Sequence, residues 1–506
     1  MLLALVVLAV TALLTGAVFV AVQGDTSLAR VDLDGKRAYS AAQAGVQAYL
    51  YNLNVNSTNS QWWETCSHDL SNGTGAQIAV PGSSTGTTYK FSPVLIPPAL
   101  TCSTSDPVHS LIDPVTGTLR IKFTGYSGQA QRTIVASFKT VSPLSYLWYT
   151  VHETEDTVIG GSTCSRFYYQ NPGPASSCQI VWVTGDQMNG PLYTQDQLLI
   201  NPGGAPVFGR TSKDTIVSQT PTTSVCAAVN GCQRAVFTGQ TVSNPPNQVP
   251  LPTDNSNLLP DATTHGKVFS GTTTLSVDSS TNLATGWNCP SATTCTAVSV
   301  DISQFPIIYA TNASGCTSSY DPTNVSYPTT SGNPAGRYYG PCGDIYISGT
   351  YDTPLTIAAA NNVIVTGDLT TNEDANGNPI GSATLGLVAN QYVRVKHDCS
   401  GNPDRTIDAA ILTLAHSFFV DNYDCGGSSL GTLTVHGAIA QFYRGIVGQV
   451  GTSGYLKNYN YDDRLGLILP PYLFDLQNTQ WGVYRETLCS YTAASTLPAS
   501  CAYTGT

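Results

Sequence analysis

The feature that most limits how this chain can fold is its start. Residues 1–22, MLLALVVLAVTALLTGAVFVAV, carry no charge, and Thr11 and Thr15 are their only polar side chains. A helix needs about 20 apolar residues to cross a bilayer, so this run is long enough to span one. The pattern then changes without a helix breaker. The stretch QGDTSLARVDLDGKRAYSAAQAGVQAYLYNLN is charged at first and then rich in Ala, Gln and Tyr, with Ala38, Ala42, Gly45 and Tyr49 at helical spacings. Residues 1–53 therefore predict one helix, a rod of roughly 80 Å at about 1.5 Å per residue. A cleaved signal peptide would open on basic residues and carry a shorter apolar core. A plain one-pass anchor leaves the Ala-rich half unexplained, and a buried core helix explains neither half.

The segment KRAYSAAQAGVQAYL, with Ala41, Ala42, Gln43, Ala44 and Gly45 at its centre, resembles the Ala-Ala-(Glu/Gln)-Ala-Gly signature of type IV pilin-like proteins, especially PilX-type minor pilins. The resemblance implies a basic leader removed by prepilin peptidase, with Met1 as a processed or truncated start. It also implies that Met1, Leu5, Gly16 and Val22 lie first in the membrane and then in a filament core, with Ala41, Ala42 and Gly45 supplying close helix contacts. Major pilins carry a glutamate where this chain has Leu5. Some initiating subunits at a filament tip also lack it, which implies a minor subunit near the tip. An apolar side chain there avoids the roughly 3 kcal/mol that a carboxylate costs at bilayer depth.

A length of 506 residues predicts two domains beyond the helix. Charged residues make up only 10%, and Met occurs only at Met1 and Met188, while turn-forming residues abound, a texture of short strands and many turns. The net charge of −11 argues against a general polyanion-binding surface, which would draw on Lys and Arg.

Fourteen cysteines fall into seven neighbouring pairs: Cys66 and Cys102, Cys164 and Cys178, Cys226 and Cys232, Cys289 and Cys295, Cys316 and Cys342, Cys399 and Cys425, Cys489 and Cys501. Disulfides between these neighbours are expected, and with them an oxidising compartment. Arg30, Lys36 and Arg37 would by themselves favour a cytoplasmic placement; Asp25, Asp32 and Asp34 stand among them, and the cysteines weigh more. With no Cys-x-x-Cys frame and seven histidines, a zinc site has little support.

Residues 54–87 read as polar loop. Three strand-like segments follow, TYKFSPVLI from Thr88, TLRIKFTGYSG from Thr118 and AQRTIVASFKTV from Ala130, the last two separated by a tight turn. Residues 54–141 thus predict a small antiparallel pilin-like head. From Ser142 the chain is aromatic and turn-rich, and 211–257 reads as long loops within one domain. Between Asp344 and Gly448 short apolar triplets recur: Ile345 and Ile347, Leu355 and Ile357, Val363 and Val365, Leu385 and Leu387, Val393 and Val395, Ile411, Phe419, Leu433 and Val435. Such triplets between turns predict stacked coils; a β-sandwich would use longer strands joined by hairpin turns. The fold class is therefore mainly β: a long N-terminal α-helix, a small antiparallel sheet, and over 142–506 a right-handed parallel β-solenoid with a capping segment. Residues 185–209, 385–395, 434–448 and 454–472 resemble the large β-solenoid of some minor pilins, the ComZ type of competence pilins among them. The shared positions are turns and core residues.

Parallel β-helices also carry carbohydrate-active sites, which makes Asp404, Asp408, Asp421, Asp424, Asp462 and Asp463 candidate acids. A glycosidase needs two carboxyls about 5–9.5 Å apart, and turn-capping Asp is the commoner use in such a chain. The loop Asn372 to Asn378 offers oxygens around Gly377 as calcium loops do, without the closing Glu of an EF-hand. Tyr455, Tyr459 and Tyr461 with Arg464 suggest either an aromatic platform or a solenoid cap. His-Glu-x-x-His and phosphate-loop motifs are absent; His152-Glu153-Thr154-Glu155 lacks the second His. The expected function is non-enzymatic: a minor pilin that needs no cofactor, inserted in the membrane before assembly, pairing with other pilin subunits through its helix and presenting the solenoid for surface, DNA or assembly contacts. The alternative is a membrane-anchored extracellular β-helix protein that binds or acts on carbohydrate.

Overall fold

The computed structural model describes residues 2–55, 77–83, 86–95, 111–113, 118–227, 232–245, 248–291, 293–317, 320–327, 338–399, 404–425, 430–449, 452–466, 469–473 and 480–489. The chain divides into two units, residues 1–140 with 480–506, and residues 141–479.

In the first unit a single helix spans Leu2–Val55. Its second half lies on an antiparallel sheet whose main strands are Thr88–Pro93, Thr118–Ser127 and Ala130–Val141, with Gln480–Cys489 next in order. Register partners run Phe91, Phe123 and Ile134 across the three strands. The helix buries Ala38, Ala41, Ala42, Val46, Tyr49 and Leu53. Small side chains at these spacings let the helix axis come close. At Gly125 the approach is backbone to backbone, since a Cβ there would stand 2.0 Å from Ala38 O and 2.5 Å from Ala42 N. A Cβ at Gly45 would meet Tyr89 Cδ2 at 2.7 Å. Tyr49 fills the space left over, its ring 5.1 Å from that of Phe91, 5.6 Å from Phe123 and 5.3 Å from Phe138. Each such side chain, fully buried, contributes about 1.5–3 kcal/mol.

Two expectations change here. The close contacts expected of the helix at Ala41, Ala42 and Gly45 are made, among the described residues, with the chain's own sheet. The last strand returns to the first unit, so the larger domain ends at residue 479 instead of 506. QWGVYRETLC alternates as a strand should, but alternation does not say which sheet a strand joins.

The second unit is built on ladders that skip alternate strands. Ile308, Ile357, Leu387, Ile411, Ile439, Trp148, Leu192 and Ile216 are successive partners in parallel pairs. A second ladder runs Ile345, Val363, Val393 and Phe418. The inward positions Ile345, Ile347, Leu355, Ile357, Val363, Val365, Leu385, Leu387, Val393, Val395, Ile411, Phe419, Leu433 and Val435 belong to one buried cluster.

Chain order is not spatial order. A first pass goes through Trp148–His152, Leu192–Thr194, Thr215–Ser218 and Gln240–Ser243, each parallel to the next. The chain then restarts at Lys267–Ser270 and runs through Ile307–Thr311, Leu355–Ala359, Leu385–Ala389 and Arg405–Thr413 to Thr432–Tyr443. The end of that strand pairs with Trp148–His152, where the first pass began. The long ladder is therefore spliced from two passes.

The segment linking the passes covers the outside of the sheet. Val249, and Leu258 and Ala262 of the short helix Leu258–His265, join Tyr149, Tyr193, Val217, Tyr309, Ala358, Val388, Leu412 and Ala440 in a second buried cluster. Asn255 Nδ2 donates to Ala359 O (2.8 Å), and its Oδ1 accepts from Tyr309 Oη (2.7 Å). Burial on both faces explains why LTIAA and LGLVA read as continuous apolar runs. The sheet is mixed, not wholly parallel. Thr272–Asp278, Leu283–Ser291 and Thr294–Asp301 pair antiparallel.

Candidate functional site

Among the described side chains of the helix, a set away from its sheet is uncovered. Leu8, Val10, Leu13 and Leu14 are exposed, Leu13 at 74%, and so are Val31, Leu33, Tyr39 and Tyr51. Thr11 Oγ1 donates to Leu8 O (3.0 Å) and Thr15 Oγ1 to Thr11 O (2.8 Å), so the two hydroxyls turn back onto the helix. Single exposed leucines are ordinary, but a succession along one helix marks a contact surface. Among the described residues no helix is long and apolar enough to cross a membrane. The expected span over 1–22 falls largely on side chains outside the described ones, those of 1–7, 9 and 16–28, and Met1, Leu5, Gly16 and Val22 are among them. Past the apolar part, Lys36 pairs with Asp32 (2.7 Å) and Arg37 with Asp34 (3.8 Å), exposed i to i+4 and i to i+3 pairs of small energetic weight.

In the larger unit the densest polar network sits where the two passes meet. The residues after Trp148–His152 each take a separate role. Glu153 is fully buried and accepts from Trp148 Nε1 and Trp182 Nε1 at 3.1 Å each, from Thr150 Oγ1, and from Arg444 Nη1 at 3.3 Å. The Arg444 guanidinium lies 3.8 Å from the Trp182 ring centre and also donates to Ile180 O (3.1 Å). His152 stacks on Phe167 and Tyr443, and burial holds its imidazole down at about 4. Glu155 is pushed up to about 7, by burial first and then by the neighbouring Asp156. Asp156 accepts from Tyr392 Oη (3.1 Å) and lies 2.6 Å from His416 Nδ1. One short peptide after the strand thus locks the first pass to the second. The only test that sequence reasoning applied to this peptide was for a zinc motif, so its role was missed.

Five of the six candidate acids are engaged. Asp421 is buried, takes both Nε and Nη2 of Arg394 at 2.9 Å, and accepts from Tyr320 Oη (2.7 Å) and Tyr327 Oη. Asp408 meets His436 Nδ1 (2.9 Å) and Thr371 N (3.0 Å), Asp404 caps Thr432 N (2.7 Å), Asp462 holds Arg464 (2.8 Å) and Asp463 holds Arg210 (2.8 Å). Asp424 is exposed. These five carboxylates serve as ion-pair partners and backbone caps.

The loop at Asn372 to Asn378 closes on itself. Asp374 Oδ1 accepts from Asn376 N (2.8 Å) and Asn378 N (2.9 Å), and Asn378 Nδ2 reaches Oδ2 (3.1 Å). The Asp374 carboxylate therefore turns into the loop. Tyr455 and Tyr459 are buried, and the hydroxyl of half-buried Tyr461 donates to Leu144 O (3.0 Å), so these rings serve the interior and form no platform. Leu465 and Leu473, from the segment expected to cap a solenoid end, pack in the outer-face cluster with Tyr149 and Val388.

Disulfides join Cys164 to Cys178, Cys226 to Cys232, Cys289 to Cys295, Cys316 to Cys342 and Cys399 to Cys425. Cys66, Cys102 and Cys501, of the other two expected pairs, lie outside the described residues, and Cys489 is disulfide-bonded. These bonds place the folded chain in an oxidising compartment. His397, Cys399 and Cys425 converge as metal ligands do, but the two sulfurs are bonded to each other and offer no thiolates.

No family model matches the chain, and no curated protein matches it. Among solved structures, the crystal structure of the competence-associated pilin ComZ from Thermus thermophilus is similar at 13% identity, over 90% of this chain and 98% of that one, with a TM-score of 0.28. A likeness at this level does not establish a shared fold, and the architecture described above rests on the chain's own ladders and contacts.

Proposed function

We propose that this chain is a non-enzymatic, pilin-like subunit of a type IV pilus or related secretion filament, a minor subunit near the tip. The observation that carries this reading is the division of labour along the helix. Its second half is spent on its own sheet, while Leu8, Val10, Leu13, Leu14, Val31 and Leu33 stay uncovered. Such a surface suits lipid before assembly and the helices of other pilin subunits afterwards. The larger unit is then a right-handed parallel β-solenoid interrupted by one antiparallel excursion, inserted between two strands of the head and stapled by disulfides. It meets its target by contact; the engaged carboxylates fit that role. A net charge of −11 favours a cell surface or an assembly partner over DNA.

A second reading, an anchored extracellular carbohydrate-binding or carbohydrate-active protein, draws on one column of register partners, Asp408, His436, Asn460 and Asn189. Side chains of this kind bond sugar hydroxyls. Recovery of surface filaments by shearing separates the two. The pilin reading expects the chain in the filament fraction with no free thiol; a chain confined to membranes while filaments form without it overturns that reading in favour of the second.

A further inference from the structure

Three features converge on one disulfide of the larger unit. Among the described half-cystines only Cys399 is exposed; Cys164, Cys178, Cys226 and Cys289 are buried, and Cys316 and Cys342 are half-buried. Cys399 also sits at φ +62°, the left-handed region that costs any residue but glycine. On the other side of the bond, His397 Nδ1 lies 3.6 Å from Cys425 Sγ and 3.3 Å from Asn422 O. A carbonyl oxygen only accepts, so Nδ1 carries the hydrogen and donates it to Asn422 O, with the Cys425 sulfur as a second acceptor within reach. The residue is buried and its backbone is held on both sides. It is 5% exposed, its carbonyl accepts from Asn422 Nδ2 (2.8 Å) and its amide donates to Tyr327 Oη (3.1 Å).

We propose that Cys399–Cys425 is a thiol-exchange site, at which an external thiol becomes attached to Cys399. The attacking thiolate forms a bond to Cys399 Sγ, the Cys399–Cys425 bond breaks, and the electron pair stays on Cys425 Sγ. The departing thiolate accepts a hydrogen bond from the Nδ1–H of His397, which keeps its proton, and the thiolate is later protonated by water. The attacking thiol is itself the reductant, so no other co-reactant enters. Exchange runs faster when the leaving thiolate is the better stabilised one, and a hydrogen bond donated to it supplies that stabilisation. Exposure selects the sulfur that is attacked, and His397 selects the one that leaves. The site gives the chain a covalent route to a thiol-bearing partner at the cell surface, and it stands whether or not the chain assembles into a filament.

The probe is reduced glutathione. The full-length protein is incubated with it at mildly alkaline pH, quenched in acid, alkylated, and mapped by peptide mass spectrometry. The expected first product carries glutathione on Cys399 and alkylation on Cys425, ahead of any adduct at the four other described disulfides. His397→Gln is expected to slow this exchange about tenfold while leaving Cys226–Cys232 unchanged. The wild-type order is read without the variant, so a variant that fails to fold does not weaken the test. Glutathione on Cys425, earlier opening of another described disulfide, or an unchanged rate in a folded His397→Gln protein overturns the proposal.

Discussion

Arg444→Ala is expected to destabilise the larger unit by about 3–5 kcal/mol, the cost of stranding one member of a buried ion pair. The arginine is 1% exposed and Glu153 fully buried, so no water can replace the guanidinium without reorganisation. The two indole N–H groups and the Thr150 hydroxyl would remain, but all are neutral donors. The position matters as much as the charge. Glu153 follows the first strand of the first pass, and Arg444 follows the last strand of the second, so the pair closes the splice between them. A fall of roughly 5–10 °C in melting temperature is expected for a unit of this size. Joint replacement, Arg444→Met with Glu153→Leu, should recover only part of the loss, because it removes the stranded charge but leaves the Trp148 and Trp182 indole N–H groups without their acceptor. A loss below about 1 kcal/mol for the single variant would show that the splice does not depend on this pair.

Gly125→Ala should loosen the first unit. The added carbon would stand 2.0 Å from Ala38 O, and both atoms are tied to backbone, so the helix or the strand has to move. Overpacking of this kind costs about 1–3 kcal/mol, and here the upper end is expected because no flexible side chain can give way. Gly482→Ala is the control within the same unit. Its added carbon would come no nearer than 3.9 Å to Lys139 O, and the change should stay within about 0.5 kcal/mol. Denaturant unfolding followed by the fluorescence of Trp481, which is buried in this unit, reads both variants.

Much of this architecture was legible in the sequence because its signals are local. The uninterrupted helix, the strands Thr88–Pro93, Thr118–Ser127 and Ala130–Val141, and the inward triplets from Ile345 to Val435 follow from periodicity over a few residues. Periodicity stops at the strand's own edges. It does not reveal that Trp148–His152 pairs with a strand almost three hundred residues later, nor that Gln480–Cys489 returns to the head. The Ala41 to Gly45 signature showed that something packs closely there without showing what. A sheet and a neighbouring helix both ask for small side chains, and the chain's own sheet took them. The polar site was the least legible part. Glu153 and Arg444, or Asp421 and Arg394, become partners only through parallel register between strands distant in sequence, and each looked in isolation like a turn residue or an unplaced charge.

The central claim is that the uncovered helix surface is where other subunits bind. A photo-crosslinking residue placed at Leu13 or Leu33 in assembling cells tests it most directly, with Ala42 as the buried control. The account predicts covalent adducts to the N-terminal helix of another filament subunit from Leu13 and Leu33, and from Ala42 only links within the chain. Adducts to no subunit from Leu13 and Leu33, in filaments that contain the protein, would contradict it.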